Sequence, residues 1–312
     1  MNPLQHDPNI ASAKTLTKDF YTDPQYFELS KEKIFAKAWH YVGNVNELPK
    51  PGDLKPFEIL DEFMNEHLLL SKDKDGQLHC LSNVCTHRGA LLIHEPCQAT
   101  DIRCSYHGRR FNLNGKFLSM PEFKEVENFP TPADDLAELP LFEIGPLLFA
   151  SLTNALPAKS FFSEMISRIG WMPLQQLVYK PELSKSYAIK AHWALYCENY
   201  LEGFHIPFVH ASLNQVIDFG SYSTELFQNA NLQLGIAKQG QLVFDLPKSS
   251  PDFGKSVGAY YFWVFPNLMF NFYPWGLSLN IVKPIAPRQT IVEFHTFILD
   301  ESLFNQGAGS DL

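Results

Sequence analysis

The chain has 312 residues, a formal net charge of −9 and 45 % apolar residues. This length suggests two domains, and the composition is that of a globular protein rather than a disordered or coiled-coil one. The acidic balance, without any block of five basic residues, argues against a nucleic-acid partner or an anionic membrane surface. Aromatic residues make up 14 % of the chain, enough to line an apolar pocket as well as a core.

Three features bear on where the protein works. The N-terminus has neither a charged n-region nor an apolar h-region, so the sequence predicts no secretory signal. Residues 259–282 carry no charge and are long enough to span a bilayer. Pro266, Pro274 and Gly276 interrupt them, which favours two or three strands over a membrane helix. Five cysteines, an odd number, predict reduced thiols and a cytoplasmic protein without a membrane.

In chain order, the pattern predicts a helical segment, a β domain and an α+β domain. Asp23-Pro24 has the form of a helix cap followed by a first helical proline, and residues 25–39 have the apolar spacing of one helix face. Short apolar runs separated by turns, from residue 40 to about 152, predict a small antiparallel β domain. The domain over 153–312 should contain helix near 161–169, strands around 184–190, helix from about 192 to 205, and strands from about 241 to 299.

Two mixed cysteine and histidine loops are the strongest chemical signal. Cys85-Thr-His87 is followed sixteen residues later by Cys104-Ser-Tyr-His107, and a glycine lies close after each histidine. Two cysteines and two histidines could hold one tetrahedral Zn²⁺. Finger-type zinc sites, however, pair cysteine with cysteine and histidine with histidine. A 2Fe–2S cluster with two cysteines on one iron and two histidines on the other requires this mixed pairing.

This spacing, followed by Gly-Arg-Arg-Phe at 108–111, resembles the Rieske module. The resemblance implies that Cys85 and Cys104 bind one iron of the cluster. It implies that His87 and His107 bind the other iron. The layout then becomes an N-terminal segment over 1–39, a Rieske domain over 40–152 and a catalytic domain over 153–312.

The kind of Rieske protein follows from two further positions. Respiratory-chain members carry a disulfide beside the cluster, whereas this chain has Ala90 and Tyr106 at the matching places. The resemblance therefore implies a cluster of low potential, suited to supplying electrons to an oxygen-activating iron. Cys80 and Cys97 are then expected to be structural, the first in a strand core and the second in a loop.

A second candidate metal site consists of Glu202, His205 and His210. On a continuous helix the first two would share a face, whereas the two histidines would diverge. Pro207 between them could kink the helix and turn both imidazoles toward one metal. Alone, this spacing is more typical of histidines that bind nothing. Two histidines and a carboxylate nevertheless form the facial triad of non-haem Fe(II) oxygenases.

Downstream of a Rieske module, the segment resembles the Rieske oxygenase pattern, which implies that His205 and His210 bind a mononuclear Fe(II). In that family the acidic residue is a bridge, so the resemblance assigns Glu202 to hydrogen bonds with an iron histidine and with the cluster His107 of a neighbouring subunit. Such a bridge implies a homotrimer. The family more often has aspartate there. Asn199, in the same segment, is assigned to the catalytic site with Glu202.

The third iron ligand has no clear counterpart. In the family it is a carboxylate near the start of the C-terminal helix. Asp300, Glu301 and Asp311 are the late candidates, and none lies at a convincing helix start, so the third carboxylate is left unassigned. We expect a catalytic domain truncated before that ligand, with an exposed apolar sheet and poor solubility.

The resemblance also implies the fold and the electron source. The fold class is α+β, with an antiparallel β Rieske domain followed by a helix-grip catalytic domain made of an antiparallel sheet and helices. No glycine-rich dinucleotide pattern follows a strand. Electrons from NAD(P)H are therefore expected to arrive through a separate flavin and iron–sulfur reductase, with or without a ferredoxin.

The substrate class is the least determined part. The resemblance is nearest to the choline, glycine-betaine and carnitine branch, which implies hydroxylation or oxidative demethylation of a quaternary ammonium compound. Cation–π contacts could hold such a substrate, and the candidate cage comprises Trp263, Phe265, Phe270, Phe272, Tyr273 and Trp275. The same rings could equally form a sheet core. An aromatic-ring hydroxylating oxygenase, an electron-transfer protein without a working iron site and a zinc-stabilised binding module remain alternatives.

Overall fold

The computed structural model describes residues 7, 9–153, 155–304 and 306–310. The α-helices are α1 (Lys18–Thr22), α2 (Pro24–Lys33), α3 (Ala158–Phe161), α4 (Ser163–Ile169), α5 (Trp193–Tyr200), α6 (Ile206–Val209) and α7 (Ala211–Val216). The strands of the first half are β1 (His40–Asn44), β2 (Asp53–Ile59), β3 (Glu66–Lys72), β4 (Leu78–Ser82), β5 (Cys97–Gln98), β6 (Ile102–Arg103), β7 (Arg110–Phe111), β8 (Phe117–Ser119), β9 (Glu138–Leu139), β10 (Leu141–Ile144) and β11 (Leu147–Ala150). The strands of the second half are β12 (Val178–Tyr179), β13 (Lys185–Ile189), β14 (Ser223–Leu226), β15 (Ala230–Ile236), β16 (Val257–Val264), β17 (Leu268–Tyr273), β18 (Gly276–Ala286) and β19 (Gln289–Ile298).

The N-terminal helix begins as predicted and ends early. The side chain of Asp23 accepts a hydrogen bond from the amide of Gln25, and Pro24 is the first helical residue. The helix stops at Lys33 rather than continuing to residue 39. A 3₁₀ turn follows, in which Phe35 is fully buried. Its ring packs edge-on against the rings of two distant segments, so burial of this side chain turns the chain into β1.

The first half of the chain is built from antiparallel sheets, as predicted. One sheet has the order β5-β2-β3-β4-β9, a second has β1-β11-β10, and a third, much smaller, has β6-β7-β8. The bridge between Val84 and Leu91 closes the first cysteine and histidine loop. The pairing of β6 with β7 closes the second. Cys80 is buried in β4, as expected, whereas Cys97 lies on the short strand β5 rather than in a loop.

The second half is organised around one antiparallel sheet of eight strands. Its order is β12-β19-β18-β17-β16-β15-β14, with β13 also paired to β19. The uncharged stretch over 259–282 forms parts of β16, β17 and β18, with turns near Pro266 and Pro274, as predicted. No helix within the described ranges is long and apolar enough to cross a membrane. Strands begin at Ser223, earlier than predicted, whereas residues 241–256 contain none.

Both faces of this sheet are covered. Along β17, Phe270 packs into a core with side chains of α3 and α4, whereas Met269 packs into another with α5 and the N-terminal helices. At one end, Trp275 packs against Phe304 with a ring separation of 5.2 Å. The predicted exposed apolar sheet is therefore wrong for the described strands, because helices and the segment around Phe304 cover it.

Candidate metal centres

The two cysteine and histidine loops have the same backbone structure. In the first, the amide of Cys85 donates to the carbonyl five residues on (2.8 Å), and the amide of Gly89 returns a bond to the carbonyl of Cys85 (3.0 Å). In the second, Cys104 and Gly108 repeat these bonds at 2.8 and 3.1 Å. Both glycines have left-handed φ values, +69° and +73°, which other residues adopt only at a cost.

The loops bring like ligands together in pairs. Cys85 and Cys104 are both buried, and each thiol lies beside the other. The rings of His87 and His107 lie 4.8 Å apart. The Nδ1 atom of His107 is buried without a hydrogen-bond partner, as expected for an atom that binds a metal.

This paired arrangement fits a 2Fe–2S cluster. Two thiols belong on one iron of such a cluster and two imidazoles on the other. Within the described ranges, no three His, Cys, Asp or Glu side chains gather around one ion position. The four side chains thus have the chemistry and the pairing that the mixed cluster requires.

The pKa shifts of Cys85 and of His87 have opposite directions. Burial and the adjacent Cys104 thiol raise the pKa of the Cys85 thiol, so the thiolate form of Cys85 needs a positive charge beside it. Desolvation, His107 and the neighbouring arginines Arg88 and Arg109 lower the pKa of His87. A neutral imidazole is the form that binds a metal.

A residue outside the motif ties the two loops together. The carbonyl of Asp134 accepts a hydrogen bond from Thr86 Oγ1 in the first loop (2.8 Å). Its carboxylate pairs with Arg109 of the second, whose guanidinium also lies 5.0 Å from the centre of the Phe117 ring. Sequence reasoning missed Asp134. The available signal was Thr131-Pro-Ala-Asp134, a capping-box pattern that marks a fixed turn.

The second centre lies on turns rather than on one helix. Helix α5 ends at Tyr200, so the predicted helix to residue 205 is wrong, and Glu202 and His205 do not share a helix face. Pro207 lies in the first turn of the short helix α6 and does not kink a longer one. His205 precedes α6 and His210 follows it. This arrangement brings the two imidazole rings to 5.0 Å.

Glu202 fixes the orientation of one imidazole. Its Oε1 atom lies 2.6 Å from Nδ1 of His205, and its Oε2 atom accepts the amide of Phe204. A carboxylate on one ring nitrogen leaves the other, Nε2, to bind a metal and makes it a stronger ligand. The pair His205 and His210 therefore fits two ligands of a mononuclear metal, with Glu202 behind the first.

The late carboxylates do not complete this site in the described part of the chain. Asp300 caps a turn by accepting the amide of Ser302 at 2.9 Å. Glu301 pairs with Lys180 at 2.5 Å. Asp311 lies outside the described residues.

A cavity of about 230 Å³ adjoins the histidines. Glu202, His205, His210 and Asn199 contribute to its wall, together with Tyr196, Tyr200, Tyr222, Tyr261 and Tyr273. Of the six rings proposed as a cage, only Tyr273 lines this cavity. Phe270 and Phe272 do not line it because successive strand residues point to opposite faces, so these two rings lie in the core on the other face of the sheet. Trp275 is fully buried against Tyr273 and Phe304. Trp263 and Phe265 pack against each other.

Two family models match the chain. The Rieske [2Fe-2S] domain matches residues 38–130, and the ring hydroxylating alpha subunit (catalytic domain) matches residues 178–312. The chain therefore belongs to the Rieske-type ring-hydroxylating oxygenases and is an oxidoreductase of the kind that works with a separate reductase.

Within this family, the chain is similar to choline and carnitine monooxygenases. The chain is 28 % identical to the chloroplastic choline monooxygenase of Arabidopsis thaliana, over 96 % of this chain and 71 % of the relative. It is also 28 % identical to the carnitine monooxygenase oxygenase subunit of Acinetobacter pittii, over 95 % and 78 %. Among solved structures, a quaternary ammonium Rieske monooxygenase superposes with a TM-score of 0.75 and 25 % identity, covering 96 % of this chain and 81 % of that one.

Proposed function

We propose that the protein is the oxygenase subunit of a monooxygenase that acts on a quaternary ammonium compound. The observation that carries this proposal is the His205 and His210 pair, backed by Glu202 and open to a tyrosine-lined cavity. When bound, the cluster supplies single electrons and the mononuclear iron activates O₂ for hydroxylation or oxidative demethylation. The protein side chains hold these groups and bind the substrate.

At the cluster site, Cys85 and Cys104 would hold one iron and His87 and His107 the other. The support is the pairing of the side chains and the unpartnered Nδ1 of His107. The two imidazoles lie at the outer end of the loops, beside Tyr106, whose side chain is 62 % exposed. The two histidines are therefore the proposed ligands nearest the surface.

At the iron site, Glu202 would act as a bridge to a second subunit. Its contact with Nδ1 of His205 supplies one half of that role. Beside it, Phe204, Phe208 and Val209 are 79, 89 and 67 % exposed, and an exposed apolar patch of this kind marks an interaction surface. We assign this patch to the contact with the cluster end of a neighbouring copy in a homotrimer. Inter-subunit electron transfer is described for the quaternary ammonium Rieske monooxygenase of similar fold.

The cavity suits a cation that cannot donate hydrogen bonds. Five tyrosine rings line it, and the faces of such rings attract an ammonium group by about 0.5–2 kcal/mol each. Asn199 and Glu202 on the same wall add polar groups that would face a polar end of the substrate. Choline and carnitine, named for the relatives, have this combination of a quaternary nitrogen and a polar end.

Electrons would come from NAD(P)H through a separate flavin and iron–sulfur reductase. We assign the protein to a reducing compartment, the cytoplasm. All five cysteines have free thiols, and two of them are the proposed cluster ligands.

Metal content and turnover test the proposal together. Anaerobically purified protein should contain three irons and two acid-labile sulfides per chain. With a surrogate reductase and NADH, it should consume O₂ in the presence of choline, glycine betaine or carnitine. Two irons, two sulfides and no O₂ consumption would leave an electron-transfer protein. Zinc without sulfide would overturn the assignment of the cluster.

A further inference from the structure

One contact limits the residues that can occupy the turn between α5 and α6. Gly203 is buried in this turn, and a β-carbon placed on it would lie 2.7 Å from Cε1 of Tyr222. Carbon atoms pack at about 3.5–4.0 Å. The φ angle of Gly203 is not among the left-handed ones, so the tyrosine ring and not the backbone requires glycine here.

Tyr222 is in turn tied to the large sheet. Its hydroxyl donates to Oε1 of Gln233 on β15 at 3.1 Å. The Nε2 atom of the same Gln233 side chain donates to the carbonyl of Tyr200, the last residue of α5. The hydroxyl of Tyr200 donates to Asn271 on β17 at 2.9 Å, and burial raises the pKa of this hydroxyl well above its usual value. It therefore stays protonated and keeps donating.

The turn is thus held at its beginning and in its middle. Gln233 fixes the carbonyl at the end of α5, and the Tyr222 ring fixes the backbone at Gly203. Glu202 and Phe204 are the two neighbours of Gly203 in the chain. The carboxylate of Glu202 contacts Nδ1 of His205 and accepts a hydrogen bond from the amide of Phe204.

We propose that Tyr222 and Gln233 are positioning residues for the Glu202 and His205 pair. They act by holding the turn so that the carboxylate meets Nδ1 and Nε2 of His205 is presented on the side of His210. The inference rests on the proposed function for the identity of the metal, whereas the clamp itself is a property of the turn.

The test uses cluster-loaded protein whose mononuclear site has been emptied with a chelator. The main variant is Gly203→Ala, whose β-carbon would displace the turn from the Tyr222 ring. The matched control is Gly220→Ala in the neighbouring loop, where a β-carbon would lie 3.4 Å from Asp218 Oδ1, an ordinary contact. The cluster absorbance and the melting temperature show whether each variant is folded.

Two measurements distinguish the effect on the turn held by Tyr222 and Gln233 from the effect on metal binding. Hydrogen exchange of the Phe204 amide reports the turn without metal, and a Co(II) titration reports the histidine pair. Gly203→Ala should speed exchange of this amide and weaken Co(II) binding about tenfold, the lower end for lost outer-shell support. Gly220→Ala should change neither. Gln233→Leu, which removes both hydrogen bonds, should shift both readouts in the same direction and serves if Gly203→Ala fails to fold.

Wild-type exchange and Co(II) affinity in the folded Gly203→Ala and Gln233→Leu variants would overturn the proposal. Tyr222→Ala should make room for the added β-carbon, so Gly203→Ala should have a smaller effect on exchange in that background; an undiminished effect would contradict the role of the ring. If the wild-type protein binds no Co(II) while exchange responds as expected, the clamp stands and the proposed iron site fails.

Discussion

Arg109 and Asp134 form an ion pair in which the arginine side chain is only 3 % exposed and the aspartate 20 %. The arginine follows the second cluster loop, and the backbone carbonyl of the same aspartate holds Thr86 in the first loop. One residue outside the motif therefore fixes the distance between the loops, which must match the dimensions of a cluster with ligands from both.

Removing this carboxylate should destabilise the cluster region. Asp134→Ala leaves the Arg109 guanidinium buried without its partner, which typically costs about 3 kcal/mol. Thermal unfolding followed at the visible absorbance of the cluster would measure the loss. The matched control is Asp101→Ala, which breaks the ion pair with the more exposed Arg110 and should change the melting temperature little. Equal effects of the two variants would contradict the role assigned to Asp134.

His79 should make the stability of the first half depend on pH. Its Nδ1 lies 2.8 Å from Glu138 and its Nε2 3.1 Å from Asp73. Burial opposes the charged form, but these two carboxylates raise the pKa of His79 overall. A raised pKa means that the stabilisation is fully present below the ordinary pKa of about 6.5 and is lost as the pH rises through the folded value.

The variant His79→Gln should therefore reduce the free energy of unfolding more at pH 6 than at pH 9, by about 0.5–1 kcal/mol. Urea unfolding of both proteins at the two pH values gives the difference. A cost independent of pH would show that the charged form contributes nothing.

Loss of one proposed iron ligand should distinguish the two proposed metal centres. His205→Ala should lower iron from three to two per chain while sulfide stays at two and the cluster absorbance is unchanged. Turnover should be abolished. His67→Ala, on the exposed side chain of a histidine in β3, serves as the control and should retain all three irons. Full turnover by His205→Ala would show that the iron site lies elsewhere.

The charge of the substrate can be tested with a matched pair of ligands. Choline and its neutral carbon isostere, 3,3-dimethylbutanol, have nearly the same shape. If the tyrosine rings attract a cation, choline should bind about 2- to 30-fold more tightly, which corresponds to 0.5–2 kcal/mol. Calorimetry on the iron-loaded protein measures both affinities. Equal affinities would favour an apolar substrate.

A buried charge cluster should hold the segment before β16 in place. Asp252 is fully buried and accepts from Nε of Arg168 at 2.6 Å and from Lys255 at 2.8 Å. Asp252→Asn should cost about 1.5–3 kcal/mol, because it removes the buried carboxylate that binds both Arg168 and Lys255 and leaves Arg168 with Glu225 alone. Glu225→Gln, at the more exposed end of the same arginine, should cost less than about 1 kcal/mol. Urea unfolding compares them, and equal costs would be contrary to the difference in burial.

The sequence predicted correctly those features that depend on residues close together in the chain. The cap at Asp23, the antiparallel strands of the first half and the breaks at Pro266 and Pro274 follow from turn and strand chemistry, and all were confirmed. The cluster loops also carry their signal locally, since each needs a cysteine, a histidine and a glycine within five residues.

Predictions from the sequence failed where contacts with residues distant in the chain determine the local structure. Helix α5 ends at Tyr200 because its carbonyl and hydroxyl bind Gln233 and Asn271 on the sheet, contacts that no helical periodicity indicates. Residues 241–256 form no strand, and the buried carboxylate of Asp252 pairs with Arg168 more than eighty residues earlier. The cage prediction took rings at alternating strand positions, whereas the tyrosines that line the cavity come from α5, the segment before β14, β16 and β17.

The two halves of the chain share their interior. On β11, Leu148 and Phe149 enter different cores. On β17 of the second half, Met269 joins the core of Leu148, and Phe270 lies 6.0 Å from the ring of Phe149. Unfolding of either half would expose apolar side chains of the other half to water. Heating should therefore produce one cooperative transition, in which the 2Fe–2S cluster and the mononuclear iron are released at the same temperature.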